Sequence, residues 1–224
     1  MGVLRTEPTP DATRERKYGQ GESSQDIELS FSELVGNGKR YRVPLFRRDY
    51  SWTEEQWEDL WSGFAEVEER SDSLPYMGTL VVEARSDRDF DVIDGQQRLA
   101  TLSLLVLAVI ATIGNLGERG AEQEANRDRA SHLRNRFIGE KDPASLLESS
   151  KLFLNETDDA FYLDTLVQLR APLNPRRLPR SSSRLLWDCF EWFRKKAEDR
   201  SRTGGEALAS LISEEPSAAV FSSS

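Results

Sequence analysis

The chain has 224 residues, 31% charged and 38% apolar, which suits one sizeable soluble core with solvated appendages. A net charge of −9 argues against a wholly basic nucleic-acid binder. One cysteine, Cys189, and one histidine, His132, leave no internal disulfide, no cysteine-based zinc site and no histidine pair for catalysis.

The charge is uneven. Residues 54–72 hold eight acids and one base, whereas residues 39–48 hold five bases and no acid. Residues 170–196 carry eight bases against two acids. These basic runs offer local faces to phosphate or nucleic acid, although a merely solvated surface accounts for them as well.

Residues 1–26 are polar, with two prolines, and read as a loose tail without a secretory leader, so a cytoplasmic location is expected. Residues 27–35 read as a short helix ended by Gly36-Asn37-Gly38, and residues 41–44 as a strand. A basic and aromatic segment follows, Pro44-Leu45-Phe46-Arg47-Arg48-Asp49-Tyr50-Ser51-Trp52. Ser51 or Thr53 then caps a helix whose buried face is Trp57, Leu60, Trp61, Phe64 and Val67. Residues 76–83 and 89–93 are β-type runs around a polar turn, a hairpin pattern.

Residues 99–113 are apolar nearly all round and predict a central helix, ended by Gly114, Gly117 and Gly120 and too short to span a bilayer. Residues 121–137 read as a charged helix, 151–154 as a short strand, 158–169 as a helix and 182–197 as an amphipathic helix carrying Cys189. Residues 214–224 are low in complexity. The expected organisation is a tail over 1–26, one domain over 27–200, and a short helix with a disordered tail over 201–224. Few strands placed early, with helices dominating afterwards, predict an α+β domain with a large helical extension.

The most informative stretch is Asp94-Gly95-Gln96-Gln97-Arg98, at the passage from a strand to the central helix. A helix N-terminus there offers unpaired N–H groups and a positive dipole end to phosphate. Asp94 could hold a metal or a water, Gly95 permits close approach, and Arg98 can grip phosphate oxygens. An acidic cap with surface amides is the blander alternative. Upstream, Arg47 or Arg48 could supply a second cation and Tyr50 or Trp52 could stack on a base, although Tyr50 and Trp52 also read as core anchors. Tyr76-Met77-Gly78-Thr79-Leu80 is a third candidate, with Gly78 either admitting a ligand or forming a bulge. No Walker-type loop and no Ser-His-Asp set occurs, so any phosphate hydrolysis rests on Asp94, the glutamines, the arginines and Mg²⁺.

Residues 44–52, 76–82 and above all Ile93-Asp94-Gly95-Gln96-Gln97-Arg98-Leu99-Ala100-Thr101-Leu102 resemble the N-terminal domain of GmrSD-type restriction systems, shared with phosphorothioate-sensing defence proteins of the SspE type. The resemblance covers residues 27–197 and implies a ParB/sulfiredoxin-like mixed-sheet core. It further implies hydrolysis of GTP or another NTP, tied to bacteriophage defence, with the D-G-Q-Q-R residues serving the nucleotide. Carried onto this chain, Asp94, Gln96, Gln97 and Arg98 become the catalytic candidates, with Mg²⁺ on Asp94 and the attacking water on Gln96 or Gln97. Gly95, Arg98, Thr101 and Arg48 become phosphate-binding candidates, and Arg47 and Tyr50 contacts to DNA or a base. The family's Pro-x-x-Gln-Arg-x-Tyr-x-Trp pattern maps onto Pro44, Arg48, Tyr50 and Trp52, with Arg47 where the glutamine stands. Implied partners are DNA, modified or not, and an HNH-type nuclease domain or subunit; no membrane partner is expected, and oligomers are compatible. A modified-DNA sensor without turnover and a ParB-like metal-dependent nickase are the alternative functions.

Overall fold

The computed structural model describes residues 25–29, 31–36, 38–67, 79–119, 122–178, 180–201, 204–213 and 219–223. Residues 1–24 of the tail expected over 1–26, the Tyr76-Met77-Gly78 part of the third candidate and Gly120 lie outside them, and residues 25–26 of that tail belong to a strand. In chain order come β1 (Gln25–Leu29), α1 (Phe31–Val35), β2 (Arg40–Arg42), α2 (Glu54–Val67), β3 (Thr79–Ala84) and β4 (Asp89–Asp94). Next are α3 (Gln96–Arg119), α4 (Gln123–Leu133), β5 (Leu152–Phe153) and α5 (Asp159–Phe161). The series closes with α6 (Ser181–Arg200), α7 (Gly205–Ser213) and β6 (Ala219–Ser223). The fold is α+β.

The strands form one mixed sheet in the order β1-β6-β3-β4-β2-β5. β3 and β4 are the expected antiparallel hairpin, and β2 runs parallel to both β4 and β5. Val82 pairs with Val92 but Val81 pairs with Asp94, so Ile93 is an extra residue in β4. This bulge bends the strand just before the Asp94–Arg98 turn and re-aims it.

Two expectations at the sheet edge are corrected. The apolar pattern at 27–35 divides into β1 and the short α1, and residues 219–223 of the presumed disordered end form β6, which pairs with β1 and β3. Ladder partners on both sides satisfy backbone groups that the local sequence leaves open, and that tertiary gain overrides a weak local pattern.

α3 is longer than its apolar run, with 24 residues from Gln96 to Arg119. It passes through Gly114 and Gly117, the residues expected to end it. A Cβ on Gly117 would lie 3.3 Å from Gln123 O and 3.4 Å from Asn126 Cβ, so this glycine lets the start of α4 lie close. Over Gln96–Glu118 the helix has the length and hydropathy of a membrane span, but 72% of the apolar window is buried inside the domain. Leu104, Leu105, Leu107 and Ile113 are fully buried, and α3 packs against α4, α6, α7 and the π-helical turns Arg134–Ile138 and Tyr162–Val167. Each such side chain contributes about 1.5–3 kcal/mol relative to exposure.

α2 begins as a capped helix. Trp57 N–H donates to Thr53 O at 3.2 Å, and Gln56 Oε1 accepts from Thr53 N–H at 2.9 Å, the reciprocal half of a capping box. Two expected α-helical stretches change pitch: Arg134–Ile138 and Tyr162–Val167 are π-helical. They are tied together by Arg134 Nη1 donating to Val167 O at 2.8 Å.

Candidate nucleotide site at the start of the central helix

Gly95 joins the bulged end of β4 to α3. Its φ is +89°, a conformation that favours glycine, and its carbonyl accepts the Leu99 N–H at 3.0 Å, which makes it the N-cap. A Cβ there would meet Leu80 Cδ1 at 2.7 Å and Thr79 O at 3.0 Å. The close approach that glycine permits is therefore to the backbone of β3. Asp94 is exposed, and its carboxylate makes no hydrogen bond or ion pair among the described residues.

The two glutamines have opposite employments. Gln97, 5% exposed, accepts the Ser51 N–H on Oε1 at 2.8 Å and donates from Nε2 to Asp49 O at 3.1 Å. Both ends of its amide are spent on the 49–51 segment. Gln96, only 8% exposed, has no hydrogen-bond partner among the described residues. Its side chain lines a crevice at the first turn of α3 together with Arg48, Tyr50, Leu154, Asn155 and Asp158. The crevice holds about 10 Å³, the room of one water, so a nucleotide would lie over it at the surface rather than within it.

Arg98 turns to the other side of the helix start. Its guanidinium lies 5.6 Å from the centre of the Trp52 ring, and Nη1 donates to Thr79 O at 3.2 Å. The base of the site is thus a helix N-terminus flanked by Arg98 on one side and by Gln96 and Arg48 on the other.

Tyr50 and Thr101 belong to the interior. Tyr50 is 4% exposed, and its hydroxyl accepts from Trp57 Nε1 at 2.9 Å. Thr101 Oγ1 donates to Gln97 O at 2.8 Å, so the Tyr50 proton is shared between Thr101 Oγ1 at 2.7 Å and Cys189 Sγ at 3.4 Å. Burial raises the phenol well above its ordinary pKa, reinforced by the neighbouring thiol. With no ring face left for a base, the expected Tyr50 contact with DNA gives way to a buried hub that ties α2, α3 and α6 together. The fully buried Thr101 likewise presents its hydroxyl to Gln97 and Tyr50, not to a phosphate at the surface.

The neighbouring loop is exposed at its tip, with Phe46 at 84% and Leu45 at 64%. Arg47 lies beside Phe46, guanidinium to ring centre 5.7 Å, and its Nε is buried without a hydrogen-bond partner. Arg48 is exposed and has no hydrogen bond or ion pair among the described residues.

Sequence reasoning missed Asn155 and Asp158. Asp158, 2% exposed, accepts the Tyr50 N–H on Oδ2 at 2.7 Å, while Asn155 Nδ2 donates to Arg47 O and to Asp49 Oδ1, both at 2.9 Å. Burial holds the Asp158 carboxyl above its ordinary range, against the lowering influence of the Ser182 hydroxyl and the Tyr50 N–H. Asp158 Oδ1 and Ser182 Oγ are both buried without a hydrogen-bond partner. An Asn-x-x-Asp turn after a short strand carries no signal beyond local capping, so only the 108 residues separating Asp158 from Tyr50 in sequence hide the contact.

A larger cleft, about 730 Å³, lies on the far side of the domain between α3, α4, α6 and the π-helical turns. Volume alone would favour it; of its three arginines, Arg134 is spent on Val167 O and near Glu148 and Arg194 on Glu191 and Glu198, whereas the exposed Arg127 has no side-chain hydrogen bond or ion pair among the described residues. Unspent polar groups gathered at a helix N-terminus suit an anion better than volume alone, which makes the start of α3 the stronger candidate site.

Among the described residues no group of three or more His, Cys, Asp or Glu side chains could hold a metal ion. One exposed carboxylate, Asp94, still suits Mg²⁺ that arrives on nucleotide phosphates and keeps several waters.

Residues 31–217 match the family model for the N-terminal domain of the GmrSD restriction endonuclease. No curated protein matches the chain.

Proposed function

The chain belongs to the GmrSD N-terminal domain family, a restriction-system family with a role in defence, and from that premise we propose that it binds and hydrolyses a nucleoside triphosphate at the start of α3. The observation that carries this reading is Gln96, a residue 8% exposed whose amide has no hydrogen-bond partner among the described residues and opens on the crevice beside a helix N-terminus and the unpaired Arg48. Neither group has a structural duty, and each matches a phosphate oxygen or a water.

In this reading the α3 N–H groups, Arg98 and Arg48 hold the phosphates. Asp94 would hold Mg²⁺, which supplies charge neutralisation on the phosphate oxygens. Gln96 orients the attacking water. The water oxygen bonds to the γ-phosphorus, the bond to the bridging oxygen breaks, and the diphosphate leaves; the water proton passes to the released phosphate. No covalent enzyme intermediate is required, and the contribution of the chain is positioning and charge stabilisation. Coupling to DNA and to an HNH-type nuclease domain or subunit completes the proposal.

The test is turnover of the four NTPs by the purified chain, with and without DNA. Arg98→Ala and Asp94→Ala should each lower turnover at least about a hundredfold, the scale of losing one transition-state contact. Unchanged turnover in both variants removes the assignment.

A modified-DNA sensor without turnover is favoured by one feature, the exposed Leu45-Phe46 tip beside Arg47 and Arg48. Salt-dependent binding to modified and unmodified duplexes in the absence of any NTP hydrolysis would select it.

A further inference from the structure

Residues 47–51 lie outside any helix or strand, yet three side chains from elsewhere in the fold hold their polar groups. Gln97 takes Asp49 O and Ser51 N, Asp158 takes Tyr50 N, and Asn155 takes Arg47 O and the Asp49 carboxylate. Asn155 is itself fixed, because its Oδ1 accepts the Asp158 N–H at 3.0 Å. All three holders are buried, and the Tyr50 N–H bond to Asp158 is buried with them, while the Gln97 and Asn155 bonds are part-buried at the loop side. Arg48 stands in the middle of the held stretch and is the one residue there whose side chain is exposed and unspent among the described residues.

We propose that Gln97, Asn155 and Asp158 are positioning residues whose purpose is to set the Arg48 guanidinium against an oxyanion at the N-terminus of α3. The inference rests on the nucleotide reading above and adds residues that the Asp94–Arg98 motif does not contain. A cation on an unstructured loop would lose much of its binding energy in ordering the backbone; here the backbone is ordered beforehand and only rotamers of Arg48 remain to be fixed. The clamp also separates the duties of two adjacent, chemically identical residues. Gln96 faces the ligand, and Gln97 faces the loop that presents the second cation.

A double-mutant cycle on the full chain tests it, using calorimetric binding of a non-hydrolysable GTP analogue with Mg²⁺. Arg48→Ala should weaken binding about tenfold, the effect of one charge-assisted contact. Asn155→Ala should weaken it by a similar factor. The double variant should bind no more weakly than Arg48→Ala, because the clamp acts through Arg48. Asp158→Asn, which keeps an acceptor for the Tyr50 N–H, should lose less than Asp158→Ala.

Losses that multiply to about a hundredfold in the double variant overturn the proposal, as does wild-type affinity in Asn155→Ala. Should Asn155→Ala not fold, the same cycle run with Gln97→Met decides by the same criteria. Binding that is lost in Arg98→Ala but unaffected by the clamp variants leaves the nucleotide site standing and removes only the positioning claim. A wild-type chain that binds neither this analogue nor any NTP overturns both.

Discussion

Replacing Gly95 by alanine separates two explanations for a glycine in the motif: room for a ligand, or room for β3. The structure commits to β3. The added methyl would sit 2.7 Å from Leu80 Cδ1, 3.0 Å from Thr79 O and 3.2 Å from Leu80 Cα, at a φ of +89°. The backbone conformation alone costs an L-residue about 1–2 kcal/mol. Leu80 is buried and Thr79 O belongs to a paired strand, so relief by a side-chain swing is limited; crowding of this kind costs about 1–3 kcal/mol. Gly95→Ala should therefore destabilise the chain by about 3 kcal/mol, a fall in Tm of about 6–12 °C for a protein of this size. Urea unfolding followed by tryptophan fluorescence, alongside a thermal scan, measures both quantities. A variant within about 0.5 kcal/mol of wild type, but defective in nucleotide binding, would refute the packing argument and restore the ligand one.

Other consequences are accessible to simple measurements. Tyr50→Phe leaves the buried Trp57 Nε1 without its acceptor and should cost about 1–3 kcal/mol in chemical denaturation, with nucleotide specificity unaltered. Cys189 is buried and its thiol is pushed far above the ordinary range by burial, so it should react with an aromatic disulfide reagent only at the rate of unfolding; rapid native-state labelling would contradict this placement. Burial raises the carboxyls of Asp158 and Asp159 in the folded chain. A raised folded pKa means that the native state binds the proton more tightly, so this contribution is complete below the ordinary carboxylate range and is lost as pH rises through the raised values. Unfolding free energies measured from about pH 4 to 7 should fall less with pH in Asp158→Asn than in wild type.

Much of this fold is legible along the chain because its signals are local. Val, Phe and acid residues around a Ser-Asp-Arg turn can scarcely form anything but the β3–β4 hairpin, and the apolar run after Arg98 has to be a buried helix. The helix runs past Gly114 and Gly117 because packing against α4 outweighs a propensity cost of about 1 kcal/mol per glycine. The site divides along the same line. Asp94 to Arg98 declares itself through composition at a strand-to-helix junction, whereas Asn155 and Asp158 acquire meaning only when the chain brings them under Tyr50. Nor could sequence tell Gln96 from Gln97: two neighbours about 100° apart on a helix meet different surroundings, and which one is consumed depends on a loop nearly fifty residues upstream.

β6 lies between β1 and β3, antiparallel to one and parallel to the other. Within the sheet β1 has no other neighbour, so the first and last strands described are joined only to each other and, through β6, to the remainder. During synthesis the β3–β4–β2–β5 portion can assemble as its residues emerge, but β1 must wait for a partner made about 190 residues later. The strand that precedes the whole domain is thus among the last to be seated. Until then the edge of β3, next to the Gly95 turn, remains open to pairing with another chain.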